Sequence, residues 1–185
     1  MSVKRLIDIL VSFSALLILF PVLIIVGLIV KADGGPAFYR QVRVGKDCRT
    51  FSMLKFRSMV VDADKTGGYS TLPGDARITG VGRFIRRTSI DELPQLVNVL
   101  RGDMSIVGPR PNVPAQKVEY TDEQWKLRHS VLPGLTGLAQ AKLRSKATWN
   151  QRWALDKEYI LTHGVVLDIK IIFQTAAKLF SKNGN

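Results

Sequence analysis

RRTSIDELPQLVNVLRGDMSIVGPRP, residues 86–111, is the stretch whose reading decides how this chain is built. An adjacent acid pair, Asp91-Glu92, stands at the start of an expected helix. Arg86 and Arg87 precede it, and a Gly108-Pro109-Arg110-Pro111 turn follows. Ser89 suits an N-cap. Leu93, Leu96, Val97 and Leu100 have the spacing of one apolar helix face, and Gly102 is placed to end the helix. A helix start keeps carboxylates ionised, and arginines beside them suit phosphate. A purely structural reading competes, because Ser89-x-x-Glu92 fits a capping box. Pro94 sits awkwardly with it, since it removes an N–H just inside the helix.

The segment before this stretch points to a membrane. Residues 9–30, ILVSFSALLILFPVLIIVGLIV, form an uncharged run of 22. That is long for the core of a signal peptide, and no small-x-small cleavage site follows. It is also long enough to cross a bilayer. Pro21, however, divides the run into 12 and 9 residues, each too short to cross alone. Basic residues flank both ends: Lys4 and Arg5 before, Lys31, Arg40, Arg43 and Lys46 after. The positive-inside rule then places both ends in the cytoplasm. A helix–break–helix hairpin that enters and leaves one leaflet satisfies both facts and is preferred to a span, although it leaves a freed carbonyl needing a partner.

Composition narrows the partners. A net charge of +12 over 185 residues favours an anion: nucleic acid, acidic lipid or a phosphorylated substrate. Cys48 alone cannot form an internal disulfide, and His129 and His163 make no zinc cluster. Residues 37–44 and 50–57 read as two strands of a hairpin, with Lys55 and Arg57 on one face. Residues 60–77 read as a loop; its Asp62 and Asp64 are weighed as metal ligands and set aside as solvated. Thr121-x-x-Gln124 is a capping box, making His129 a helix-end residue. Helices follow over about 148–161, with Trp149 and Trp153 at i and i+4, and over about 165–180. The last suits a core or a membrane surface. The fold class is therefore α+β: an N-terminal re-entrant membrane helix hairpin over 1–31, then a mostly helical cytoplasmic domain over 32–185 with a small β-hairpin and membrane-surface helices.

With these pieces in place, the chain resembles the bacterial monotopic phosphoglycosyl transferases. The blocks that carry the resemblance are Lys4-Arg5-Leu6-Ile7-Asp8, the apolar run with its proline, Phe38-Tyr39-Arg40-Gln41-x-Arg43-Val44-Gly45, Lys55-Phe56-Arg57-Ser58-Met59, Thr88 to Leu96, Gly102 to Pro111, Pro133 to Gln140, and Leu167-Asp168-Ile169-Lys170. Each is weak alone; their order and spacing are specific. The length resembles the family's minimal catalytic form.

The resemblance implies an enzyme at the cytoplasmic face of the bacterial inner membrane. It would move a sugar-1-phosphate from a UDP-sugar to polyprenyl (undecaprenyl) phosphate and release UMP. It implies Mg2+ and a covalent phosphosugar intermediate on Asp91, with Glu92 as partner and Asp91 also near the metal. Arg86 and Arg110 match family arginines. Lys55, Arg57 and Arg144 join them as candidate substrate-binding residues, and Pro21 is the structural break in the membrane segment. Phe20 stands where the family usually has serine, and Lys142-Leu143 where it often has Asn-Gly. A membrane-tethered basic module for nucleic acid or acidic lipid is the alternative, although no nucleic-acid motif is present. The sugar, the pathway and homo-oligomerisation are left open.

Overall fold

A computed structural model describes residues 2–67, 71, 74–143 and 147–180. It opens with helix α1, Val3–Ala32, capped by the Ser2 hydroxyl, which accepts from the Arg5 amide at 3.3 Å. The expected two-helix hairpin is not what the structure has: α1 is one helix that runs through Pro21. A proline deprives a helix of one N–H, but here the turns on both sides of it are docked on the rest of the chain. Ala15 and Leu16 pack on one apolar cluster, and Leu23, Val26 and Val30 belong to a second.

Both ends of α1 are tied down. Lys4 Nζ donates to Asp168 Oδ2 at 2.6 Å and to the Val107 carbonyl at 3.0 Å. Arg5 donates to the carbonyls of Val99 and Leu100, the orphan acceptors at the end of another helix. Asp8, buried, accepts from Ser105 Oγ and the Ile106 amide, both at 3.0 Å. At the other end, Val30 packs with Phe56 and Ile85, and its carbonyl accepts from Arg57 Nη2 at 2.7 Å. The outward face is apolar: Leu10, Phe13, Leu17, Ile18, Phe20, Ile25 and Leu28 are exposed. Among the described residues, α1 is the one helix long and apolar enough to cross a membrane.

Strands β1, Phe38–Val44, and β2, Thr50–Phe56, form the expected antiparallel hairpin, pairing Phe38 with Phe56 and Val44 with Thr50. A short helix α2, Ala63–Thr66, interrupts the following loop, and α3, Gly80–Arg87, carries Arg86. The central stretch begins as a 3-10 turn, Ile90–Gln95, and becomes α4 only at Leu96–Arg101. Gly102 ends α4 with φ 94°, a left-handed value that favours glycine. The buried face is Leu96, Asn98 and Val99; Leu93, Val97 and Leu100 are only half-buried.

Strand β3, Ser105–Val107, then pairs in parallel with β4, Gly134–Thr136. Between them lies α5, Asp122–Arg128, opened by the expected Thr121/Gln124 capping box and closed at His129. Helices α6, Leu138–Lys142, α7, Trp149–Thr162, and α8, Val165–Phe180, complete the fold. Their main core joins Met53 of β2 to Leu96, Val99, Met104, Val107, Leu138, Tyr159 and Ile171. Asn98, fully buried, bonds the Leu54 amide at 3.0 Å and the Ser52 carbonyl at 2.8 Å. It thereby fixes the hairpin against the stretch that carries the acid pair.

Candidate active site

The acid pair is presented differently from the capping-box expectation. Ser89 has φ 57°, a left-handed conformation rare for a side-chain-bearing residue, and its hydroxyl caps nothing. Glu92 does not fold back to Ser89. Its Oε1 accepts from Lys55 Nζ at 2.9 Å and from Arg110 Nη2 at 2.7 Å. Two charge-assisted bonds outcompete one backbone N–H. Burial opposes ionisation of Glu92, but Arg110 and then Lys55 outweigh it and hold the carboxyl far below its ordinary range.

Asp91 is the opposite case. It is 6 % exposed, and its carboxylate makes no side-chain hydrogen bond among the described residues. It lines a cavity of about 680 Å³. Burial, and then the neighbouring Glu92 charge, push its carboxyl up to about 6 against the pull of Lys55, Arg86 and Arg110. Two adjacent carboxylates thus differ sharply: one is neutralised by cations, the other faces open space.

The same cavity is lined by Arg43, Lys55, Arg86 and Arg110. Burial and then Arg110 lower the Arg43 guanidinium to about 10, and the same two causes lower Lys55 against the pull of Glu92. Arg110 thus adds to the burial that depresses both, and an anion in the cavity would relieve them. Phosphoryl oxygens suit them, because a guanidinium fork binds two at once.

Arg110 is held from behind by a residue that sequence reasoning missed. Arg128, at the end of α5, donates to the Arg110 carbonyl at 3.0 Å and to Asn112 Oδ1. It is ion-paired with Asp156 of α7, and both are buried. Asn112 in turn accepts the Val44 amide at 2.9 Å. Arg43 was also missed as a site residue; it donates to the Pro111 carbonyl at 2.8 Å. The block Phe38-Tyr39-Arg40-Gln41-x-Arg43 already contained it, and its alternation with Tyr39 and Gln41 was the available signal. Arg128 offered none, because its partners lie far away in sequence.

Of the expected site residues, the fold brings together Asp91, Glu92, Lys55, Arg86 and Arg110. Arg86 reaches Ser58 Oγ at 3.4 Å. Arg57 also lines the cavity, but it spends donors on the carbonyls of Pro36 and Val30 and so ties β2 to the end of α1. Pro21 lies within α1, away from the cavity lining, and Arg144 lies outside the described residues. Among the described residues no group of three His, Cys, Asp or Glu could hold a metal ion. A magnesium ion does not need one, since it is often held by one or two carboxylates plus substrate phosphates. The open carboxylate of Asp91 fits that second mode.

Comparison with known proteins bears on this geometry. The family model described as "Bacterial sugar transferase" matches residues 1–182. The chain is 45% identical over 193 residues to the "Undecaprenyl-phosphate glucose phosphotransferase" of Komagataeibacter xylinus, covering 97% of this chain and 36% of that protein. It is 43% identical over 184 residues to the "Exopolysaccharide production protein PSS" of Rhizobium leguminosarum bv. phaseoli, covering 93% and 92%. It is 44% identical over 186 residues to the "UDP-glucose:undecaprenyl-phosphate glucose-1-phosphate transferase" of Escherichia coli (strain K12), covering 96% and 40%. The chain thus spans well under half of the first and third of these relatives and nearly all of the second.

Proposed function

Because the chain belongs to the bacterial sugar transferase family, we propose that it transfers a sugar-1-phosphate from a UDP-sugar to undecaprenyl or another polyprenyl phosphate. The products are UMP and a polyprenyl-diphosphate sugar. The observation that carries this reading is the contrast between the two acids: Glu92 is clamped by Lys55 and Arg110, whereas Asp91 is unbonded and faces a cation-lined cavity.

The reaction proceeds in two displacements. An oxygen of ionised Asp91 attacks the sugar-bearing phosphorus, the bond to the bridging oxygen breaks, and UMP leaves. An oxygen of the lipid phosphate then attacks the same phosphorus, and Asp91 is released. A covalent intermediate divides one difficult transfer into two easier ones. Arg43, Arg86 and Arg110 offset the charge that gathers as two phosphorylated substrates approach. Asp91 would hold a magnesium ion together with substrate phosphates, and the ion would supply charge neutralisation that makes UMP a better leaving group. Glu92 keeps Lys55 and Arg110 in place.

A lipid acceptor requires a site at the membrane surface, and α1 supplies the anchor. Its outward face is apolar while both its ends hold the same domain, which supports a helix seated in one leaflet with both ends on one side, and we assign that side to the cytoplasm. The exposed Val166, Ile169 and Phe173 of α8 suit the same surface. The basic-module alternative has no support from the family, and the site's cations line a cavity rather than a flat face.

The test is to incubate the protein with a UDP-sugar and magnesium, without lipid, quench in acid and map the added mass by peptide. A sugar-phosphate on Asp91 is expected, with one UMP released per adduct. Mass on Glu92, or UMP appearing only when lipid is present, defeats the two-step reading. A panel of UDP-sugars in the same assay identifies the donor.

A further inference from the structure

The wall of the cavity is not uniformly charged. Where β1 leaves α1, four residues make an apolar lip: Pro36, Phe38, Val60 and Val61 all line the cavity. Phe38, Val60 and Val61 are 49%, 47% and 54% exposed. Clustered exposed apolar side chains at the mouth of an otherwise cationic cavity are unfavourable in water and mark a binding surface.

The lip is built onto the membrane helix. The Phe38 ring stacks on Phe56 at 5.2 Å between centroids, and Phe56 packs on Val30 of α1. Arg57 binds the carbonyls of both Val30 and Pro36 and so fixes the exit from α1. Val61 lies against Gly35 in that exit; a Cβ placed on Gly35 would meet it at 2.8 Å. Ile25, Leu28 and Ile29 are exposed near the C-terminal end of α1, the end from which this exit departs.

We propose that this lip seats the hydrocarbon chain of the lipid acceptor. A molecule with a phosphate head and an unsaturated hydrocarbon tail matches the order of surfaces: cations around Asp91, then Phe38, Val60 and Val61, then the membrane face of α1. The donor's uracil ring could stack on Phe38, but the donor has no hydrocarbon chain that would gain from Val60, Val61 and the face of α1. The proposal rests on the transferase reading and adds the residues by which the acceptor, rather than the donor, is held. It gives the enzyme a means of preferring a long prenyl phosphate to a short or unsubstituted one.

The two displacements allow a clean test. Val60→Ser combined with Val61→Ser removes apolar surface at exposed positions. Adduct formation from the UDP-sugar alone is the internal reference, and transfer to lipid phosphate in detergent is the readout. Expected is a rise of about tenfold in KM for undecaprenyl phosphate, from several lost methyl contacts, with adduct formation unchanged. The advantage of undecaprenyl over a two-isoprene phosphate should shrink by a similar factor. If the serine variant does not fold, Val60→Thr with Val61→Thr keeps the shape and should give a smaller rise in the same direction. An unchanged acceptor KM overturns the proposal, as does an equal loss in adduct formation, which would make the lip part of the donor site or of the fold. A wild-type protein that forms no adduct and releases no UMP defeats the transferase reading itself, and the lip falls with it.

Discussion

Arg110 Nη2 lies 2.7 Å from Glu92 Oε1, the same oxygen that takes Lys55 at 2.9 Å. One carboxylate therefore fixes two of the cations that line the cavity. Glu92→Gln should loosen both. Turnover is expected to fall about ten- to a hundredfold, the cost of losing a charge-assisted contact, while the adduct on Asp91 still forms. An intact rate in Glu92→Gln would remove Glu92 from the machinery.

Arg110→Ala tests the same contact from the other side. The turn that carries Arg110 is held by Arg128 and Asn112 whatever the side chain at 110. The protein should stay folded by circular dichroism, with turnover reduced about ten- to a hundredfold. Near-normal activity would place this guanidinium outside the substrate site.

The pH dependence follows from Asp91. Its carboxyl is pushed up to about 6, and in the proposed mechanism only the ionised form attacks phosphorus. In rapid-quench measurements the rate of adduct formation should rise with pH through about 6 and level off above. Glu92 is one cause of the upward push, so Glu92→Gln should shift this limb to lower pH. A limb near 4 in the wild type would contradict the environment described for Asp91.

Asp91 also carries a stability cost. Its folded-state value lies above the ordinary carboxylate range. The stability from its protonated form is therefore present below about pH 4 and lost as pH rises through about 6. Asp91→Asn should abolish transfer yet stabilise the protein at pH 7.5 by on the order of 1–3 kcal/mol. Denaturant titration at pH 7.5 and pH 4 checks this, because the gain should shrink at the lower pH.

Much of this could be read from the chain. The β-hairpin, the Thr121 capping box, α7 and α8 all follow from local pattern, and local pattern is what decides them. The acid pair and its arginines were legible as residue types at fixed spacing. Ser89 and Glu92 were misread because a capping box is a local motif, and two distant cations bind the glutamate more strongly than one nearby amide does. Strand β3 is three residues long and too short to show alternation. Arg128 acts through Arg110, Asn112 and Asp156, a connection made only by tertiary packing. Pro21 was read as a break because the sequence does not reveal that the helix on both sides of it has partners.

That last point changes how topology should be tested. In a protein with Cys48→Ser and Ser2→Cys, an impermeant thiol reagent should not label intact cells. Pro21→Leu should leave this unchanged, because α1 is already continuous. Lys4→Met with Arg5→Met should permit labelling, because it cuts the ties to Asp168, Val99 and Leu100. Labelling of the parent protein from outside would show that the helix spans.

Those ties also set an order of events during synthesis. Lys4 leaves the ribosome first, and Asp168 follows 164 residues later. At 5–20 residues per second, α1 exists for roughly 10–30 s before its N-terminal partner is made. For that interval the Lys4–Asp168 ion pair is missing, although the ties of Arg5 and Asp8 to residues 99–106 can already form. The last described helix, α8, thus completes a hold on the N-terminal end of α1 that residues 99–107 begin.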